Sequence, residues 1–255
     1  MNKTVLITGV SRKVGIGASV AIRLASVGYN IFATYYRPYD QDMPEWKKDD
    51  TDVQMIAREI SKFPVKFSSY ECDLSDIAQI AKIFDTVEKE IGPVYGLINN
   101  ACFSIDTNID SLTAELIDKH YYTNLRAPML LSQEFVKRYR QNKNYSQGRI
   151  ITLTSGYVTE PNPGNLAYSA TKAAMNRFTN SLSLEVAGLG ITVNSVDPGA
   201  TDTGWMSREL KSEILENAPM KRLGQPIDVA NLIEFLISEK AQWITGQIIH
   251  SRGGF

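Results

Sequence analysis

Short apolar runs and amphipathic stretches alternate along the chain. Val5-Leu6-Ile7 ends at a Gly-rich turn, as a buried strand does. From Gly17, the residues Val20, Ala21, Leu24 and Ala25 recur at helical spacing, which predicts a helix stopped by Gly28. Residues 31–35 and 66–72 predict the second and third strands, and a helix begun at Ser75 or Asp76 runs to Gly92-Pro93. Leu97-Ile98 predicts a fourth strand, followed by one long helix over residues 113–139. Residues 149–154 predict the fifth strand, 166–187 a further helix, and 191–196 and 247–250 the last strands. This alternation predicts an α/β fold, a mostly parallel sheet with helices on both faces. No repeat or low-complexity linker divides the pattern, so it predicts one domain over residues 1–255. Two segments fit neither period: polar, Asp-rich 37–52, predicted irregular, and 201–224, which suits a mobile lid over a site.

Composition narrows the function classes. At 43% hydrophobic and 22% charged residues the chain matches an ordinary globular protein, and its net charge of −1 argues against a nucleic-acid or acidic-membrane partner. Only Cys72 and Cys102 are present, so no disulfide framework is implied and a reducing cytoplasm is the expected setting. The opening MNKTVLITGV reads as a first strand and not as a signal peptide, and no apolar run approaches the ~20 residues of a membrane helix.

Two constellations carry candidate chemistry. Thr8 to Gly17, TGVSRKVGIG, lies between a predicted strand and helix, where glycines allow a tight turn and the helix N-terminus offers free N–H groups to a pyrophosphate. Such a loop alone is equally compatible with any strand-to-helix turn. Tyr168 and Lys172 stand at i and i+4, on one helix face. A phenol titrates near pH 10 and needs a neighbouring cation to act as an acid/base at neutral pH; a chance pair on an amphipathic helix reads the same way locally.

Taken together and in order, the motifs resemble the short-chain dehydrogenase/reductase family along essentially the whole chain. They are the TG…GIG loop, Asp73-Leu74, Asn99-Asn100-Ala101, Asn124, Ser155 thirteen residues before Tyr168, YSATKAA from Tyr168, Pro198-Gly199 with Thr203, and the ending RLGQP…ITGQ…GG. The resemblance implies a Rossmann-type sheet of seven strands in the order 3-2-1-4-5-6-7, with the site at the strands' carboxyl ends. It implies Tyr168 as general acid/base and Lys172 as the cation beside it that also binds the nicotinamide ribose. Ser155 would hold the substrate carbonyl oxygen, and Asn124 would anchor a water for proton relay. Gly9, Ser11, Arg12, Lys13, Gly15, Ile16 and Gly17 would form the phosphate loop, and Asp73 and Leu74 the adenine pocket. Asn100 and Ala101 would lie under the cofactor, with Pro198, Gly199 and Thr203 holding the carboxamide.

The cofactor expectation is NADP(H). Tyr35 stands where NAD-preferring relatives carry an acid, and Arg12, Lys13 and Arg37 suit a 2′-phosphate, although Asp40 and Asp42 keep NAD(H) open. The expected partner is a small carbonyl or alcohol substrate, with Gly156, Tyr157 and Val158 suggesting a partly apolar pocket, and a homo-oligomer is expected through the two long helices and the C-terminal segment. The nearest pattern is that of ketoacyl-carrier-protein reductases, yet Ser146 and Leu189 stand where those often present Arg; Lys137, Arg138, Arg140 and Lys143 are possible substitutes. A non-catalytic dinucleotide sensor is the remaining alternative.

Three features depart from the family pattern. Five residues separate Gly9 from Gly15, where three are common, and the extra pair is expected either to bulge outward and carry Arg12 and Lys13 toward the 2′-phosphate or to reshape the pyrophosphate site. Cys102 replaces a usual Gly and is expected to be buried and inert. Arg252 replaces a usual acid before the final Gly pair, without a physical account from sequence. Cys72 and His120 read as structural, and His250 as a packing or interface residue.

Overall fold

The computed structural model describes residues 2–42, 51–142, 145–156 and 161–255. Tyr157, Val158 and Lys143 lie outside them. In chain order the elements are β1 (Thr4–Ile7), α1 (Ile16–Ser26), β2 (Asn30–Tyr35), α2 (Arg37–Asp42), α3 (Asp52–Ile60) and β3 (Phe67–Glu71). There follow α4 (Ala78–Glu90), β4 (Val94–Asn99), α5 (Ala114–Tyr121), a π-helical turn (Tyr122–Arg126), α6 (Ala127–Gln141) and β5 (Gly148–Leu153). The chain ends with α7 (Leu166–Val186), β6 (Ile191–Asp197), α8 (Arg208–Asn217), α9 (Pro226–Ile237) and β7 (Ile248–His250).

The seven strands form one sheet in the order β3-β2-β1-β4-β5-β6-β7, and every strand pair is parallel. Burial follows from that order. Strands β1, β4, β5 and β6 are buried at every position, while edge strands β3 and β7 are only partly so. Side chains alternate between two cores. Val5 and Ile7 join α1, α3 and α9 on one face, and Leu6 joins α4 and α6 on the other. Each fully buried aliphatic side chain contributes roughly 1.5–3 kcal/mol, which makes the sheet a rigid platform.

The sheet order reverses direction between β1 and β4. At this switch point the turn after β1 and the turn after β4 emerge side by side at the carboxyl ends, leaving a crevice.

Several expected boundaries differ. The helix expected over 113–139 is two helices joined by the π turn. Pro128, in the first turn of α6, has no N–H to donate to the carbonyl four residues back, that of Asn124. Segment 37–52 is not irregular at its start, because residues 37–42 form α2. The helix expected at Ser75 or Asp76 begins at Ala78, after a turn in which Asp76 accepts the Ala78 amide at 2.9 Å. Segment 201–224 contains α8, and a parallel bridge pairs its two ends, Thr201 and Gly224.

Candidate active site

The phosphate loop is held from below by the turn after β4. The amides of Asn100 and Ala101 donate to Thr8 Oγ1 at 3.0 and 3.1 Å, and Asn100 Nδ2 donates to the carbonyls of Thr8 and Gly9, each at 2.9 Å. Asn100 is thus a fastener of the loop, a role that its sequence position suggested only as lying beneath the cofactor. Gly9 is required on two counts: its φ is +74°, and a Cβ would fall 2.6 Å from Ala101 Cα. A Cβ on Gly17 would fall 2.6 Å from the Gly9 carbonyl oxygen. Gly15 precedes α1 and brings no side-chain cap, so the helix presents its first N–H groups, Ile16 and Gly17 among them, toward the crevice. The loop and helix therefore fit a dinucleotide pyrophosphate.

The extra residues of the loop do not swing away from the protein. Arg12 Nη1 donates to the Thr203 carbonyl at 3.0 Å, and its Nε lies 4.0 Å from Asp40, with the side chain largely buried. Lys13 is exposed, and its amide donates to Asp52 at 3.0 Å. The loop insertion thereby ties the phosphate site to segment 201–224. Ser11 is half-buried in the same loop. Arg37 forks onto Glu71 of β3, with Nε to Oε1 at 3.0 Å and Nη2 to Oε2 at 2.6 Å, and this bonding holds the Glu71 carboxyl below its ordinary range. Arg12 and Arg37 are accordingly engaged by separate carboxylates, Asp40 and Glu71.

On the other side of the switch point, α7 carries Tyr168 and Lys172 one turn apart. Lys172 is 4% exposed. Its Nζ donates to the Leu153 carbonyl at the end of β5 at 2.8 Å and lies 5.6 Å from the Tyr168 ring centre. Ser155, two residues beyond β5, and Tyr168 are both half-buried. Lys172 and Asn124 line one small cavity with Thr8, Asn99 and Ala101, so the structure joins the catalytic-side residues to the phosphate-loop support.

Asn124 is 2% exposed and lies in the π turn. Its side chain accepts the Phe103 amide and donates to the Phe103 carbonyl, both at 2.8 Å, and reaches Thr171 Oγ1 at 3.4 Å. The amide therefore pins the loop after β4.

Asp73 accepts the Ser75 amide at 2.8 Å and shapes the turn after β3 instead of capping α4, with Leu74 buried behind it. Pro198 accepts from Thr201 Oγ1 at 2.9 Å, Gly199 has φ +61°, and Thr203 is buried at the start of segment 201–224. Cys102 is half-buried, not fully buried, with its thiol on the Phe103 carbonyl at 3.5 Å; the loop after β4 turns out toward the crevice there. Cys72 is buried, and burial pushes its thiol up to about 12. His120 is fully buried between the Leu116 carbonyl and the Ile105 amide, which places its proton on Nδ1, and burial holds its pKa below the ordinary range.

Two residues escaped the sequence reading. Tyr39 bridges to both backbone groups of Ser104, accepting at 3.1 Å and donating at 3.3 Å, so segment 37–42 closes on the turn after β4. Asp197, the last residue of β6, is fully buried beside Pro198. Neither belongs to a motif, and the partners Ser104 of Tyr39 and His250 and Arg252 of Asp197 are distant in sequence.

Comparison with known proteins agrees with this architecture. A family described as Enoyl-(Acyl carrier protein) reductase matches residues 9–255. An "Uncharacterized oxidoreductase YjdA" of Bacillus subtilis is 43% identical, over 99% of this chain and 96% of its own. The 3-oxoacyl-(acyl-carrier-protein) reductase FabG of Staphylococcus epidermidis is 34% identical, over 100% of this chain and 99% of its own. An "NADPH-dependent aldehyde reductase-like protein, chloroplastic" of Arabidopsis thaliana is 31% identical, over 99% and 94% respectively. With its parallel seven-stranded sheet, switch-point loop and full-length relatives, the chain belongs to the short-chain dehydrogenase/reductase family of NAD(P)-dependent oxidoreductases.

Proposed function

We propose that the protein moves a hydride between NADP(H) and a small carbonyl or secondary alcohol, with Tyr168 as general acid/base. The observation that carries this reading is the seating of Lys172: a nearly buried ammonium, anchored on Leu153 and set beside the Tyr168 ring. A cation there stabilises the phenolate, so the phenol can give its proton to a forming alkoxide and regain it afterwards. Ser155 holds the substrate oxygen from the β5 side, and the bound nicotinamide supplies or accepts the hydride. Asn124 keeps the loop after β4 in place, and segment 201–224 acts as the lid. The setting on this reading is the cytoplasm, in keeping with two free cysteines.

NADP(H) is proposed over NAD(H) because Tyr35 leaves no acid at the end of β2 and Arg12, Lys13 and Arg37 stand around the adjacent loop. A 2′-phosphate is a better fork partner for Arg37 than the half-exposed Glu71. Titration of the protein with NADPH and NADH, followed by nicotinamide fluorescence, tests this. NADPH is expected to bind at least about 10-fold tighter, the equivalent of one good charged contact. Tighter NADH binding would reverse the assignment.

Reduction of a carrier-bound ketoacyl thioester is the second reading, favoured by the name of the staphylococcal relative. The surface argues against it. Arg138 is engaged by Glu134, Asp85 and Glu88, and Lys137 by Glu134, leaving Arg140 of α6 as the exposed alternative among the described residues proposed for docking. The expected result is no gain in kcat/KM for the carrier-bound thioester over the free one.

A further inference from the structure

The acid-to-Arg departure before the final Gly pair acquires a physical reason in the fold. Asp197 ends β6 and is 0% exposed, and a buried carboxylate persists only when its oxygens are fully engaged. Oδ2 accepts from Arg252 Nε and faces His250 Nδ1 at 2.8 Å. Oδ1 accepts the Gly199 amide at 3.0 Å. One carboxylate therefore shapes the Pro198-Gly199 turn and holds the C-terminal tail against it.

The Arg252 side chain, 12% exposed, then reaches a second turn. A Cβ on Gly199 would lie 3.0 Å from Arg252 Cα and Cγ, and one on Gly156 would collide with the guanidinium itself. Gly156 directly follows Ser155. The guanidinium thus packs directly against Gly156, in the turn that carries the substrate-side hydroxyl, while its Nε holds the carboxylate behind the turn assigned to the nicotinamide.

We infer that the Arg252–Asp197 ion pair is a positioning device, setting the Ser155-Gly156 turn at a fixed distance from the Pro198-Gly199 turn. Arg252 touches no reacting atom; it acts through Ser155 and the cofactor-side turn. The inference rests on the proposed hydride transfer, because hydride transfer is sensitive to the separation of the carbonyl carbon from the nicotinamide, and a misplacement of 1 Å reduces rates by about 100-fold. The two glycines follow from the same side chain, since any Cβ at 156 would push the guanidinium out of place.

The experiment is a double-variant cycle in the intact protein with NADPH and a small 1,2-diketone as probe. Steady-state kcat and KM, NADPH affinity and thermal midpoint are read for wild type, Arg252→Ala, Arg252→Lys, Gly156→Ala and Gly156→Ala/Arg252→Ala. Arg252→Ala is expected to lower kcat by about 10- to 100-fold, with NADPH affinity held within about 3-fold. Arg252→Lys, which keeps the charge but not the flat fork, is expected to recover part of kcat. Gly156→Ala is expected to lower kcat in the wild-type background and to change it by less than about 2-fold once Arg252 is gone. A loss confined to the thermal midpoint, or an equal effect of Gly156→Ala in both backgrounds, would overturn the inference. If Arg252→Ala does not fold, Gly156→Ala and Arg252→Lys decide, and an unchanged kcat in both sinks it. Turnover in wild type that survives Arg252→Ala rejects the positioning role alone, whereas no turnover of any carbonyl by wild type rejects the hydride-transfer reading and this role with it.

Discussion

Tyr168 and Lys172 share a face of α7 because i and i+4 positions of a helix do so, and that much follows from spacing alone. What spacing does not give is the anchor: Leu153 fixes the ammonium from a strand that follows its own course in the sheet. Replacing the phenol by Tyr168→Phe is expected to reduce turnover by about 10²- to 10⁴-fold, the ordinary share of general acid/base catalysis, with dinucleotide binding retained. Retained biological activity in that variant would favour a sensor instead. His120 offers a second test at this scale. Its folded-state pKa lies below the ordinary 6.5 because burial disfavours the charged form, so the folded state binds fewer protons than the unfolded one. Its stabilising contribution is therefore full above pH 6.5 and is lost as pH falls below it. In chemical denaturation, His120→Asn is expected to be less stable by about 1–3 kcal/mol near neutral pH and to lose less stability on acidification than wild type. Parallel pH curves for the two proteins would refute the assignment.

The element that departs most from its pattern is the helix pair α5 and α6. Residues 113–139 carry an unbroken helical periodicity, and one proline early in α6 decides otherwise. The missing N–H of Pro128 leaves the Asn124 carbonyl without its α-helical donor, and the chain takes a π turn, a device common at functional sites. That turn aims the Asn124 side chain at Phe103. Pro128→Ala is expected to return the turn to α-helix, to leave thermal stability unchanged or raised, and to reduce turnover by about 10-fold through loss of the Asn124–Phe103 bonds. An unaltered kcat would show that the π turn does not position the site. Segment 201–224 shows the converse case: read as an irregular, mobile lid, it is clasped at both ends by the Thr201–Gly224 bridge and fastened inside by Lys211 on Asp202 at 2.7 Å.

At the scale of the whole molecule, exposed apolar side chains occur on α5, α6 and α7 and near the C-terminus. Leu184 of α7 is 81% exposed and Trp243, before β7, is 96% exposed, with Ile117 and Tyr121 of α5 and Met129 of α6 also uncovered. On the expectation that the long helices and the C-terminal segment form subunit contacts, these side chains are the ones such contacts would cover. A homotetramer of about four times the chain mass is expected in light scattering, with Leu184→Asp shifting it toward smaller species. A stable monomer at micromolar concentration would reject the tetramer.

Local sequence determined the elements and the two loops of the site, because helix and strand periodicity, Gly-rich turns and i, i+4 pairing are properties of short stretches. The parallel character of the sheet was likewise legible in the alternation of strand and helix patterns, while its strand order came from the family resemblance of the motifs and agrees with the fold. Tertiary structure alone decided which charges meet. Arg12 finds the Thr203 carbonyl and Arg37 finds Glu71, while Arg252 meets Asp197. These partners lie tens to hundreds of residues apart, and a charge's partner depends on position in space, about which a linear pattern carries no information. The same holds for Asn100 and Asn124: residue type and place in a motif predicted that they serve the site, but only the fold determined that they do so by fastening backbone.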